Sequence, residues 1–325
     1  MEIKMILPQS RYQKRYRPEK NNRRTIILII GIILTLMAGL LFFFMSRDTG
    51  GTVQREVTVS EESNTVAVPV EELWNQGEYR GVTAWAEKEL ELDPFSITGL
   101  LYHGFASFYL GVGQFTPEEQ IPLFDKTIVS LRRALLFENM QMQKEIFYIL
   151  GKTYYHKGRY YADLALDYLL KSLENGYEGE DTLEYIGLAY GELGRFEESL
   201  EFFLKAVERR PSDILYLTIG QTYDKMENQE EAETFLLRAI SVTEEETIEQ
   251  KSRFLLGKLY IEQEEWEQAE IQYKRILEKN KRSADAYYYL GEIYEKQNNS
   301  IKARAEWRRV LEIDPSHYGA LTKLY

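Results

Sequence analysis

Three observations predict an all-α fold, with one membrane-spanning helix ahead of a solenoid of helical hairpins. Thr25 to Met45 is a run of 21 residues without a charge. Further along, a glycine returns every 33 to 37 residues in one local frame. Matched small and large residues then follow these glycines at fixed offsets. The first observation has the length of a bilayer-spanning helix. The other two have the period of a helical repeat, in which each hairpin buries its open apolar face against the next.

The apolar run TIILIIGIILTLMAGLLFFFM has no polar face, which a buried core helix of that length would show. A cleavable signal peptide is the alternative. Against it stand the length of the run, the long tail before it and the lack of an A-x-A-like site after it. Residues 1–24 form a basic tail, with eight Lys and Arg against Glu2 and Glu19, a net of +6. The whole chain carries −12, so residues 25–325 carry −18. By the positive-inside rule the tail stays in the cytoplasm and the body is exported, as in a single-pass protein of a bacterial cytoplasmic membrane. Gly31, Thr35 and Gly39 share one helix face at a spacing that lets two membrane helices approach, so homo-oligomerisation through this helix is an expectation. Residues 46–68 are polar and read as a flexible linker with a reach on the order of 25 Å.

The repeat occupies residues 69–325. Leu150-Gly151-x-x-Tyr154, Ile186-Gly187-x-x-Tyr190, Ile219-Gly220-x-x-Tyr223, Leu256-Gly257-x-x-Tyr260 and Leu290-Gly291-x-x-Tyr294 share one frame, with Gly104 a looser member. Twelve residues after Gly187 comes Ser199, followed by Phe203, Ala206 and Pro211; Ala303, Trp307, Val310 and Pro315 stand at the same offsets after Gly291. Small residues at the Gly and Ala positions allow the two helices of a hairpin to approach, large ones fill the space between, and proline ends the second helix. The expected units are a half repeat at about 69–95, then about 97–143, 144–179, 180–212, 213–249, 250–283 and 284–317, with a truncated terminal helix.

These correlated positions resemble the tetratricopeptide repeat, two antiparallel helices in about 34 residues. The resemblance implies a right-handed α-solenoid whose first helices line a concave groove that holds a peptide or helix of another protein. Carried over residue by residue, the groove positions are Leu101, Phe105, Phe108 and Tyr109; Tyr148, Lys152, Tyr155 and His156; and Glu184 and Leu188. The later units add Leu217, Gln221 and Asp224; Phe254, Lys258 and Ile261; and Tyr288, Glu292 and Glu295. The Lys–Asn–Asn–Lys–Arg set with which some family members grip a chaperone's C-terminal carboxylate is missing from these positions.

Little chemistry is legible. There is no cysteine, which removes disulfides, thiol catalysis and thiolate metal sites, and only His103, His156 and His317 could serve as imidazole ligands. Gly151-Lys152-Thr153 mimics a phosphate-binding loop, but the glycine that loop needs at 146 is Ile146. No cofactor, metal or catalytic site is expected, and the acidic body disfavours nucleic acid. The expected function is a non-enzymatic protein–protein scaffold held to the bilayer by residues 25–45, its array in the periplasm. It would organise an envelope assembly such as secretion or outer-membrane assembly machinery, or a flagellar-motor collar. The alternative is a periplasmic holdase for apolar segments of exported proteins.

Overall fold

The structure, a computed structural model, describes residues 69–325 apart from residue 139. The basic tail at 1–24, the expected transmembrane helix at 25–45 with its Gly31, Thr35 and Gly39 face, and the linker at 46–68 lie outside the described residues. Among the described residues no helix is long and apolar enough to cross a membrane.

The described chain is all-α. A short hairpin, α1 (Val70–Gln76) and α2 (Tyr79–Leu92), opens the array. Six full hairpins follow: α3 (Ile97–Val112) with α4 (Pro117–Ala134), α5 (Gln143–His156) with α6 (Ala162–Glu174), and α7 (Thr182–Glu192) with α8 (Phe196–Arg209). The last three are α9 (Asp213–Lys225) with α10 (Gln229–Val242), α11 (Glu246–Glu262) with α12 (Trp266–Lys279), and α13 (Ala284–Lys296) with α14 (Ser300–Ile313). A single helix, α15 (Tyr318–Leu324), closes the array. The turn between α5 and α6 contains a 3-10 turn, Arg159–Tyr161.

Local chemistry sets the helix ends. Ser96, Ser212, Ser283 and Asn299 each accept a backbone N–H from the third residue onward, satisfying one of the amides that a helix start leaves without a partner. His317 does the same with Nδ1 for Ala320, so it caps α15. Seven residues after each framed glycine the hairpin turn needs a left-handed backbone. Gly158 and Gly194 supply it at no steric cost, whereas Glu227, Glu264 and Asn298 adopt φ of 59°, 59° and 60°.

Packing explains the glycine frame. A Cβ on Gly104 would lie 2.5 Å from Leu131, on Gly151 2.6 Å from Leu169, on Gly187 2.7 Å from Phe203, and on Gly257 2.6 Å from Tyr273. Each partner belongs to the second helix of the same hairpin, so the glycine sets how closely the two helices approach. The framed tyrosines join neighbouring units instead: Tyr260 donates to Glu233 at 2.6 Å and Tyr294 to Glu270 at 2.7 Å, each carboxylate lying on the preceding second helix.

Two alanine substitutions on first helices are expected to shift stability in opposite directions. Alanine is better than glycine in a helix by about 1 kcal/mol. In Gly191→Ala the new methyl meets only Ser199 Oγ at 3.4 Å, so that gain is kept. In Gly291→Ala it would lie 2.2 Å from Trp307 Nε1, whose indole is held by donation to the Tyr288 carbonyl at 3.2 Å. The clash should outweigh propensity and leave a net loss of about 2 kcal/mol. Thermal melts of the two variants check this, and shifts of the same sign would contradict the packing account.

Candidate functional site

The first-helix positions proposed as a groove separate into two environments. At the N-terminal end they are covered. Leu101 and Phe105 are 1% and 0% exposed, because Trp74 of α1 packs edge-on against Phe105 at 6.4 Å and against Tyr109 at 5.9 Å. Tyr79 of α2 also stacks on Tyr109 at 5.0 Å. The opening hairpin thus turns expected groove residues into core.

Tyr148 and Lys152 are covered as well, at 6% and 5% exposure. One turn apart on α5, they meet Asp181, which lies just before α7 and is itself 4% exposed. Lys152 Nζ donates to Asp181 Oδ2 at 2.8 Å and to Tyr148 Oη at 3.0 Å; Tyr148 donates its own proton to Asp181 Oδ1. The ammonium also lies over the ring of Tyr185 at 4.4 Å, a cation–π contact made stronger by the loss of water. Burial pushes the Lys152 ammonium below the usual lysine range, and the Asp181 carboxylate works against that fall. Burial, reinforced by the Asp181 charge, raises the Tyr148 phenol far above its ordinary value. These residues therefore form a closed polar knot, with the lysine donors directed inward. Buried charges are stable only when paired in this way.

Around the knot, His156 bonds Tyr185 Oη at 2.9 Å and stacks on Phe124 at 5.9 Å. Burial, then the nearby Lys152, lowers the His156 imidazole to about 4. Tyr155 stands edge-on to Tyr185 at 5.3 Å and is half-buried. Glu184, half-buried beside the knot, is raised by burial and by the Asp181 charge.

From α7 onward the position that follows each framed glycine opens, although Leu217, the α9 counterpart of Tyr148, stays buried at 1% exposure. Leu188 and Gln221 are half-buried, and Lys258 is exposed and forms no ion pair with another described residue. Tyr288 donates to Glu292 at 3.1 Å, and both are half-buried. His317, at the start of α15, packs on Tyr288 with ring centroids 5.0 Å apart, so the last helix borders the groove there. Among the described residues no group of three or more His, Asp or Glu side chains is placed to hold a metal.

Asp181, Tyr177 and Tyr185 complete the knot and were not foreseen as site residues. The available signal was length: seven residues, 175–181, join α6 to α7, whereas three, 210–212, join α8 to α9.

Residues 148–318, just over half of the chain, match the family model of the tetratricopeptide repeat protein 21 C-terminal ARM domain. The chain belongs to the tetratricopeptide repeat family. Among solved structures it is similar to the C-terminal part of a TPR repeat-containing protein from Cytophaga hutchinsonii, at 15% identity and a TM-score of 0.59. That match covers 79% of this chain and 98% of the other, and at such identity it shows the fold alone. YrrB, described as a TPR protein with an unusual peptide-binding site, matches at 22% identity and a TM-score of 0.48 over 61% of this chain and 96% of its own. MamA matches at 22% and 0.49 over 54% and 94%. No curated protein matches the sequence. The repeat fold is that of a protein–protein interaction scaffold.

Proposed function

We propose that this chain is a membrane-anchored interaction scaffold whose array holds a partner segment along the first helices α7, α9, α11 and α13. The carrying observation is the change of environment along one register. Positions closed at α3 and α5 are half-buried at Leu188, Gln221, Tyr288 and Glu292 and exposed at Lys258. A segment lying there meets an apolar side chain, an amide, a free ammonium and a tyrosine–carboxylate pair in successive units, the mixture by which extended peptides are selected. The holdase alternative loses support, since the apolar and aromatic positions it would use at Leu101, Phe105 and Tyr148 are buried.

The uncharged run at 25–45 and the basic tail before it support anchoring in a cytoplasmic membrane with the array exported. An envelope assembly is the setting that such a layout suits, and Gly31, Thr35 and Gly39 remain the proposed contact between membrane helices. Crosslinking in native membranes with the full-length chain tests the scaffold. Two or three recurrent partners are expected, and their yield should fall at least tenfold in Lys258→Glu/Tyr288→Ala. A folded double variant that captures the same partners in the same yield would remove the groove, and a diffuse spread of exported proteins would remove the scaffold.

A further inference from the structure

The register that is open at α11 and α13 is closed at α5 by a particular piece of the chain. Tyr148 and Lys152 stand where Phe254 and Lys258 stand on α11 and where Tyr288 and Glu292 stand on α13, yet only the first pair is fully buried. Beside the Tyr185 ring of α7 and the Phe108 ring of α3, the residues that cover it come from the seven-residue connection 175–181. Tyr177 packs on the Tyr148 ring with centroids 4.7 Å apart, and Asp181 takes both the Lys152 ammonium and the Tyr148 hydroxyl. The connection starts from a left-handed glycine, Gly176 with φ of 76°. Its outer residues, Glu178 and Glu180, are held only by exposed ion pairs to Arg209 and Arg210, a weak class of contact.

The closure is also incompletely bonded. Glu145 Oε2, on the first turn of α5, is buried without a hydrogen-bond partner, and its charge reaches the Tyr177 phenol. Thr182 Oγ1, immediately after the connection, is buried without a partner as well. Buried oxygens left in this way are uncommon in folded proteins and favour any segment that brings a donor.

We infer that the 175–181 connection is an internal ligand of the groove, and that it yields its place to a partner segment carrying an aromatic residue and a carboxylate four positions apart. The inference rests on the groove reading above and extends it to α5. Tyr177 and Asp181 define the competitor: an aromatic ring for the Tyr148 face and an acid for Lys152. A segment without the acid would leave the ammonium buried and unpaired, so apolar peptides are excluded. The attached connection competes at the high effective concentration of a short tether, which keeps weak or partial mimics out.

The test uses the full-length chain and an amide-capped peptide with the sequence of residues 174–182, ENGYEGEDT, followed by fluorescence anisotropy. Tyr177→Ala keeps the Asp181–Lys152 pair, so it preserves the fold while removing the competing ring. The peptide is expected to bind Tyr177→Ala at least tenfold more tightly than the wild type. A peptide with its tyrosine and aspartate replaced by alanine should bind neither. A second variant, with 175–181 replaced by the Arg-Pro-Ser of 210–212, should show a larger gain if its circular dichroism remains helical. Equal affinity for wild type and Tyr177→Ala, or binding to neither, overturns the inference. The two readings fail separately. Loss of native partners in Lys258→Glu/Tyr288→Ala with no peptide response to Tyr177→Ala keeps the scaffold and removes the internal ligand. A peptide response with unchanged partner capture in that double variant keeps the internal ligand and removes the distal groove.

Discussion

Asp181→Ala is expected to destabilise the array by about 3–5 kcal/mol, the usual loss when one member of a buried ion pair is removed. Lys152, 5% exposed, would keep its ammonium buried with only the Tyr148 hydroxyl and the ring faces of Tyr185, Tyr148 and Phe108 as contacts. A desolvated cation–π contact of about 2 kcal/mol already exists in the wild type, so it cannot make up the difference. Lys152→Met should cost a similar amount, because Asp181 would keep only the Tyr148 donor. The double variant Lys152→Met/Asp181→Leu should return to within about 1 kcal/mol of the wild type, since replacing both charges by apolar groups removes the need for compensation. Denaturant titrations of the four proteins form a double-mutant cycle, read on the transition that includes α5 and α7, since repeat arrays can unfold in parts. Single variants that unfold at the wild-type midpoint would show that the pair is solvated and that the knot is open in solution.

The second large effect is a fall in stability between neutral and weakly acidic pH. His156 titrates at about 4 in the folded chain, lowered from 6.5 chiefly by burial. Between those values the unfolded chain binds more protons than the folded one, so stability rises with pH through the window and is fully present above about 6.5. Lowering the pH from 6.5 to 4 should therefore remove on the order of 3 kcal/mol. His103 adds to this with the same sign. Burial lowers it too, and its Nδ1 lies 2.7 Å from Ser130 Oγ. Glu184 acts in the opposite sense, because its raised carboxyl favours the folded state as pH falls. His156→Gln, which cannot titrate but can still meet Tyr185 Oη, should flatten most of the slope. Hydrogen-exchange or denaturant stability measured at pH 4, 5.5 and 7 checks the expectation; a wild-type curve flat over this range would mean that the imidazole reaches water.

The array was legible because its determinants are local and repeated. Gly151, Gly187, Gly220, Gly257 and Gly291 each stand where a side chain would strike the second helix of the same hairpin, and the sequence shows them at a regular spacing. The large residues at Leu169, Phe203, Leu236, Tyr273 and Trp307 are the partners they accommodate, again at constant offsets or nearly so. The candidate site was less legible. Tyr148 and Lys152 have groove register, and register alone places them beside Phe254, Lys258, Tyr288 and Glu292 as surface positions. What changes their environment is Asp181, 29 residues after Lys152, delivered by a connection whose path no periodicity encodes.

Residue order along the chain was enough to read the all-α solenoid class, the spacing of the framed glycines and the uncharged 21-residue run ahead of the array. All of these follow from spacing along the chain, because helix faces and repeat periods are set by residue separation. The tertiary structure alone decided which groove positions are available. Trp74 closes the groove at Phe105, Tyr177 and Asp181 close it at Tyr148 and Lys152, and nothing comparable covers Lys258. Burial depends on what the rest of the chain lays over a residue, and a buried lysine needs its carboxylate at a definite distance in space, whatever its distance in sequence.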